Sequence, residues 1–265
     1  MKKTWQTSFK FIFFIALVAV FVTVFVSDSL LCQGVITAKY FWFAVTMCIA
    51  VIFWFVVLLL GALPVSRKLS FADYGVALLV VYICINYFLL NEKTSMHWWL
   101  FLLLIPLYIM MRTACVDQQL KRLVLGAILG VVLVETIWGM LQLHGFVQSY
   151  HGLYKITGSF FNPGPYSGFV AAGIPLAMAY ALDKTLSGWE RWLGKIVLIA
   201  ALLVLPAAMS RAAWLGAIFG SILVLWSFFG KSYFRFHLKK KTRRIVAVIS
   251  CVVIAGLLVV MYFLE

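Results

Sequence analysis

The chain has 265 residues, of which 65% are hydrophobic and 11% are charged, and its mean hydropathy is +1.07. A soluble domain has about 25% charged residues, so this composition excludes a water-soluble domain, a disordered chain and a disulfide-stapled secreted module. The formal net charge of +14 would suggest a nucleic-acid partner in a soluble protein, but in a membrane protein the position of each charge matters more. We therefore predict an all-α, polytopic membrane protein without a nucleic-acid partner.

Continuous apolar runs predict nine membrane-spanning helices, which form one bundle over residues 1–265. A bilayer core of about 30 Å needs roughly 20 apolar residues per helix. In chain order the runs are 11–26, 40–63, 74–90, 96–111, 123–143, 166–182, 192–209, 212–229 and 245–264. The fourth run is the weakest, because it gives a helix of only about 24 Å.

Basic residues predict the orientation of this bundle. With the N-terminus in the cytoplasm, 18 of the 22 Lys and Arg residues fall in cytoplasmic segments, and only Lys39, Lys93, Lys155 and Arg211 lie outside. This asymmetry is the positive-inside pattern, and it predicts a periplasmic C-terminus. The basic segment 231–244 could match a nucleic-acid patch, but we interpret it as a cytoplasmic loop that sets topology and touches anionic headgroups.

The sequence contains no motif that indicates a metal, a cofactor or a bound nucleotide. Its five cysteines show neither CxxC nor Cys/His spacing. Neither a GxxxxGK[ST] loop nor a GxGxxG turn after a strand is present, so the chain is not a nucleotide-driven pump by itself. We therefore predict no metal site and no cofactor.

The longest predicted exterior segment, 143–165, is the first place where chemistry could lie. It combines His144, His151, Lys155 and Asn162 with aromatic residues, glycines and prolines. The Asn162-Pro163 pair indicates a turn that opens the next helix. The alternative interpretation is a re-entrant or interfacial connector whose aromatic rings lie at the level of the lipid headgroups.

Ser210 and Arg211, at the start of the eighth run, form the second candidate. Ser210 is a good N-cap for the helix that follows. Arg211 lies on the outer side, against the charge bias, and in a helical first turn, where the macrodipole disfavours a cation. A bound anion would offset both costs, and a helix N-terminus with a guanidinium suits a diphosphate. The alternative is an arginine that snorkels to the headgroups.

Glu135 is the ionisable side chain that lies deepest within a predicted span. Because a carboxylate in lipid is costly, we expect it to face the bundle and to find a partner or a proton. Trp138 and Gln142 share its helical face, which forms a polar stripe toward the outer loop. A purely structural role between helices is an equally good interpretation.

Three short motifs together resemble the O-antigen ligase/polymerase superfamily. They are Gly139 with Gln142 at a helix end, the segment GSFFNP at 158–163, and the segment SRAA at 210–213. The resemblance covers residues 120–230. Members of this superfamily act on polyprenyl-diphosphate-linked glycans at the periplasmic face of the bacterial inner membrane. They include lipopolysaccharide O-antigen ligases, Wzy-type polymerases and protein O-oligosaccharyltransferases.

The resemblance implies a metal-independent transfer of a glycan from a polyprenyl diphosphate to an acceptor hydroxyl on lipid A core, another glycan or a protein. Arg211 would then bind the diphosphate, and Asn162 would line the entrance. The catalytic residue stays unassigned, since His144 and His151 do not match the family's histidine. The predicted substrate-binding residues are Arg211, Ser210, Asn162, Lys155, Gln142 and Glu135.

The sequence departs from this family at its C-terminal side. Members have about a dozen spans, and a large periplasmic loop with the catalytic histidine follows the ninth. The chain stops at Glu265, where that loop would begin, so we expect a missing C-terminal segment or a partner chain to supply it.

Two functions from different classes remain open on the sequence alone. The first is a multi-pass glycosyl-transfer protein of the bacterial inner membrane. The alternative is a non-enzymatic transporter, flippase or scaffold that binds a lipid-linked anion. A transporter is expected to show repeats and broken helices near the midplane, and the absence of a convincing repeat favours the first.

Overall fold

The structure, a computed structural model, describes residues 2–28, 34–63, 69–89, 97–208 and 210–230. Within these ranges the chain forms helices and no strand, in agreement with the predicted all-α class. The α-helices in chain order are α1 (Lys2–Phe21), α2 (Gly34–Leu59), α3 (Phe71–Leu89), α4 (His97–Ala114), α5 (Gln118–Leu143), α6 (Pro163–Leu182), α7 (Gly188–Val204) and α8 (Arg211–Leu225).

Six of these helices are long and apolar enough to cross a membrane: α1, α2, α5, α6, α7 and α8. For α1, α7 and α8 this length includes the short helical turn that follows each helix. Two more, α3 and α4, are apolar but shorter. The first eight predicted runs fall on these eight helices. The ninth run, 245–264, and the basic segment 231–244 lie outside the described residues. Nine spans and a cytoplasmic N-terminus therefore stay predictions.

Helix starts differ from the predicted runs because an apolar run omits a polar first turn. The fifth run begins at residue 123, whereas α5 begins at Gln118, and its N-cap Asp117 accepts hydrogen bonds from the amides of Gln119 and Leu120. Similarly, α7 begins before residue 192, behind a capping box of Ser187 and Glu190. Caps stabilise polar turns that hydropathy does not detect.

Helix α5 lies between two packed halves of the bundle. On one side, apolar side chains of α1, α2 and α4 pack with Val124 of α5. On the other side, Leu129 and Val132 of α5 pack against α6 and α7. Small residues permit close approach of helices: a Cβ at Gly194 of α7 would fall within 3.0 Å of the backbone of α6.

The bundle has two distinct ends. One, which we name the loop end, contains the connection 144–162, the C-terminal ends of α1 and α5, and the N-terminal ends of α2 and α6. The other, which we name the charged end, contains the α4–α5 and α6–α7 connections. There Lys10 pairs with Asp117 at 2.6 Å, and Arg112 pairs with Asp73 at 3.0 Å. The sequence predicts the loop end outside.

Candidate functional site

The connection 144–162 leaves α5 through a sharp turn and then returns against the side of that helix. Gly145 follows the helix end with a φ of 79°, and Gly158 has a φ of 56° on the returning segment. Both values lie in the left-handed region, which glycine adopts without steric cost. On the return, Ile156, Thr157, Gly158 and Ser159 are all buried, so their backbone groups need partners inside the protein.

Gln142 supplies most of these partners. Its side-chain oxygen accepts hydrogen bonds from the amides of Thr157 at 2.9 Å and Gly158 at 2.7 Å. Its side-chain nitrogen donates to the carbonyl of Gly158 at 3.0 Å and to that of Gln148 at 3.3 Å. A single side-chain amide thus acts as a backbone surrogate and holds the loop against the end of α5.

Glu135, two turns below Gln142 on α5, holds the next residue of the loop. One carboxylate oxygen, Oε2, accepts a hydrogen bond from the amide of Ser159 at 3.1 Å. The side chain is fully buried, and Oε1 has no hydrogen-bond partner in the described part of the chain. Buried polar atoms without a partner are rare in native proteins.

Tyr166 of α6 closes this site from the other side. Its ring is fully buried, and its hydroxyl donates to the Glu135 carbonyl at 3.3 Å. The two positions that contact this ring most closely require glycine. A Cβ at Gly139 would fall within 3.0 Å of the Tyr166 hydroxyl, and a Cβ at Gly158 would fall within 3.0 Å of both the Tyr166 ring and the Glu135 carboxylate.

Lys39 connects the loop to the first half of the bundle. Its ammonium donates hydrogen bonds to the carbonyl of Val24 and, at 2.9 Å, to the carbonyl of Val26. The ammonium also lies 5.6 Å from the centre of the Phe160 ring. The same Val24 carbonyl accepts the hydroxyl of Ser159. The short helical turn after α1, the start of α2 and the returning loop therefore meet at one point.

An open cavity of about 660 Å³ lies above this network, lined by the chain from Gln142 to Lys155. His144 and His151 are both on its wall. The Nδ1 atom of His151 accepts a hydrogen bond from the Leu153 amide at 3.1 Å, so a neutral His151 carries its proton on Nε2. Its ring also contacts Tyr154, with ring centres 4.7 Å apart. Lys155 is exposed at the rim.

Asn162 and Ser210 are both helix N-caps. The Asn162 side chain accepts a hydrogen bond from the Gly164 amide at 2.9 Å and opens α6. The Ser210 hydroxyl accepts one from the Ala213 amide at 3.4 Å and opens α8. Arg211 follows in the first turn of α8 and is exposed. No hydrogen bond or ion pair joins its guanidinium to another described residue.

Packing brings the start of α8 to the same place as the loop. Ile156 and Phe160 of the loop belong to one apolar cluster with Ala213 and Trp214, which lie two and three residues after Arg211. The structure therefore gathers Glu135, Gln142, Asn162 and Ser210-Arg211 at the loop end. It does not join Arg211 or Lys155 to the buried network by a direct hydrogen bond.

Sequence reasoning missed Lys39 and Tyr166 as members of this site. Lys39 carried a signal, because it is one of the four basic residues that depart from the predicted charge asymmetry. Tyr166 carried none, because an aromatic residue at a helix start is also typical of the membrane interface. Among the described residues, His, Cys, Asp and Glu side chains form no group of three that could hold a metal ion.

Comparison of the chain with models of protein families, with curated proteins and with solved structures finds no match.

Proposed function

We propose that the protein binds a polyprenyl-diphosphate-linked glycan at the loop end and takes part in transfer of the glycan to an acceptor hydroxyl, as O-antigen ligases and polymerases do. The reaction breaks the bond between the glycan and the diphosphate, and the acceptor oxygen forms the new bond to the sugar. The loop end would then face the periplasm of a bacterial inner membrane.

One observation carries this proposal. The motifs at 139–142, 158–163 and 210–213, which are far apart in the sequence, lie at one end of the bundle, where loop and α8 residues share an apolar cluster. An exposed arginine in the first turn of α8 combines a guanidinium fork with free backbone N–H groups. Both groups bind diphosphate oxygens well.

The electrostatic argument is consistent with transfer as well as with binding. When the glycan leaves, negative charge develops on the diphosphate, and cations beside it stabilise that charge. Arg211 and Lys155 are exposed cations at the loop end, and no carboxylate of a described residue is paired with either. Substrate binding would therefore not have to break an existing ion pair.

The buried network would support such a site by fixing the loop. Gln142 and Glu135 hold three consecutive amides, those of Thr157, Gly158 and Ser159. A preorganised loop loses less entropy when a ligand binds. In this proposal Glu135 and Gln142 are positioning residues that act through the loop, and the base that accepts the hydroxyl proton is unassigned.

Substitution of Arg211 tests the proposal directly. Arg211→Ala should weaken binding of polyprenyl diphosphate to the purified chain by about 10- to 150-fold. This range corresponds to the loss of one charged hydrogen bond, which contributes about 1.5–3 kcal/mol. Arg211→Lys should lose part of this, because lysine keeps the charge but not the two-pronged geometry. The matched controls are Arg191→Lys and Lys184→Ala at the charged end, which should bind the carrier like wild type.

Two results would count against the proposal. Unchanged carrier binding by a folded Arg211→Ala protein would reduce Arg211 to a snorkelling anchor. The second result is carrier binding that depends on Arg211 but leads to no glycan transfer to a lipid, glycan or protein acceptor. If this holds when the chain is tested together with the components of its native membrane, it would favour the flippase or scaffold alternative.

A further inference from the structure

A second, mostly apolar cavity opens beside the loop end, between the starts of α2 and α4. Its volume is about 400 Å³, within the range of small-ligand pockets. Its lining consists of Thr23, Lys39, Tyr40, Phe43, Leu100, Phe101 and Leu104. We name this cavity the α2–α4 groove. Leu104 is 46% exposed, so the groove opens on the surface of the bundle.

Among the described residues that line the groove, Lys39 is the one cation. Two carbonyls, those of Val24 and Val26, accept its hydrogen bonds, and an ammonium has three donors. Within the described residues one N–H is therefore left for a ligand, and the other contacts fix the position of the charge.

The length of α2 places Lys39 close to one edge of the bilayer core. Helix α2 has 26 residues and rises about 39 Å, roughly 9 Å more than a bilayer core of about 30 Å. Lys39 lies about 8 Å from its start. The ammonium is therefore near the boundary between acyl chains and headgroups, with an apolar wall extending toward the acyl chains.

We propose that the α2–α4 groove binds an anionic phospholipid of the surrounding bilayer, with one acyl chain along the groove and the phosphate on the Lys39 ammonium. An apolar wall with a cation fixed at its end complements this lipid in shape and charge. The groove lies next to the loop site, because Lys39 also contacts Phe160. The proposal does not depend on glycan transfer.

Glu135 is the carboxylate whose charge acts on Lys39, and it is not among the residues that line the groove. Because Glu135 also holds the Ser159 amide, a Glu135 variant would change the loop as well as the charge, so Lys39 itself is the position to substitute.

Native mass spectrometry of the purified full chain tests the groove. Delipidated protein is titrated with phosphatidylglycerol or with phosphatidylcholine that carries the same acyl chains. Wild type should bind one phosphatidylglycerol at least about tenfold more tightly than phosphatidylcholine. Lys39→Ala should abolish this preference, and Lys39→Arg should retain it. Lys195→Ala is the matched control, because Lys195 also lies over an aromatic ring, that of Trp192 at 4.7 Å, but outside the groove.

A steric variant keeps the test decisive if Lys39→Ala fails to fold. Leu104→Trp fills the groove without a change in charge and should reduce binding of both lipids at this site, whereas Leu78→Trp, on the exposed surface of α3, should not. A lipid preference that neither Lys39→Ala nor Leu104→Trp changes would overturn the proposal. Displacement of phosphatidylglycerol by a polyprenyl monophosphate, with the same dependence on Lys39, would also overturn it and assign the groove to an isoprenoid lipid.

Discussion

At the charged end of the bundle, acidic side chains pair with lysine and arginine within reach of solvent, whereas at the loop end an amide and a carboxylate are buried against backbone. Asp117 and Lys10 retain 20% and 31% of their side-chain exposure. Glu135 and Gln142 retain at most 4%. The two ends therefore place their polar groups in different dielectric surroundings.

This difference has an energetic consequence. Ion pairs that water reaches contribute about 0–1 kcal/mol each, because water screens them and competes for them. A buried acceptor that satisfies several amides contributes more, since its removal leaves each amide unpaired in a dry environment. The charged end thus tolerates the loss of a polar side chain, while the loop end does not. Such intolerance is expected where a loop must keep one conformation.

Gly158→Ala should cause the largest loss of stability. The new Cβ would overlap the Glu135 carboxylate and the Tyr166 ring, and φ is 56°. Strain and overpacking together should cost about 3–5 kcal/mol, measured by thermal unfolding in detergent. Gly152→Ala is the control, because Gly152 lies in open space on the same loop. Equal stability of the two variants would show that the loop does not pack as described.

Gln142→Ala should cause the second-largest loss of stability, about 2–4 kcal/mol. The reason is that the buried amides of Thr157 and Gly158 lose their hydrogen-bond acceptor. Gln119→Ala, an exposed position in the first turn of the same helix, should change stability by less than about 0.5 kcal/mol. Hydrogen exchange should localise the effect of Gln142→Ala to residues 156–159. Exchange that is unchanged there would remove Gln142 from its positioning role.

Much of the fold could be predicted because apolar runs record burial directly, whether in lipid or in protein. The runs identify the helices, and Asn162 and Ser210 signal the starts of α6 and α8. Helical periodicity also places Glu135 and Gln142 on one face. The number of membrane-spanning helices is harder to predict, because helices such as α4 are close to the minimum length for crossing a bilayer.

The contacts of the site could not be predicted, because they depend on the path of a loop. The partners of Glu135 and Gln142 are main-chain amides, which every residue carries and no sequence pattern marks. Gly158 is visible as a glycine, but its φ of 56° and the ring of Tyr166 beside it appear only in three dimensions. Lys39 likewise acts through carbonyls of a neighbouring turn.

Asp117 at the charged end should give the smallest effect, and that effect should depend on pH. The hydrogen bond from Lys10, together with the amides at the start of α5, lowers the pKa of the Asp117 carboxyl below its usual range. Because the folded-state pKa is lower than the unfolded value of about 3.9, the ionised group stabilises the fold above about pH 5. This contribution is lost as the pH falls through the folded-state pKa.

The size of this effect distinguishes a partly exposed pair from a fully buried network. Asp117→Asn keeps a capping oxygen and removes the charge, so it should cost less than about 1 kcal/mol at pH 7 and should reduce the loss of stability between pH 6 and pH 3. Asp117→Ala should cost about 1 kcal/mol more, because the cap is also lost. Lys10→Met should reproduce the Asp117→Asn value at pH 7. A loss of 3 kcal/mol or more for Asp117→Asn would mean that this pair is as critical as the loop network, and the contrast between the two ends would fail.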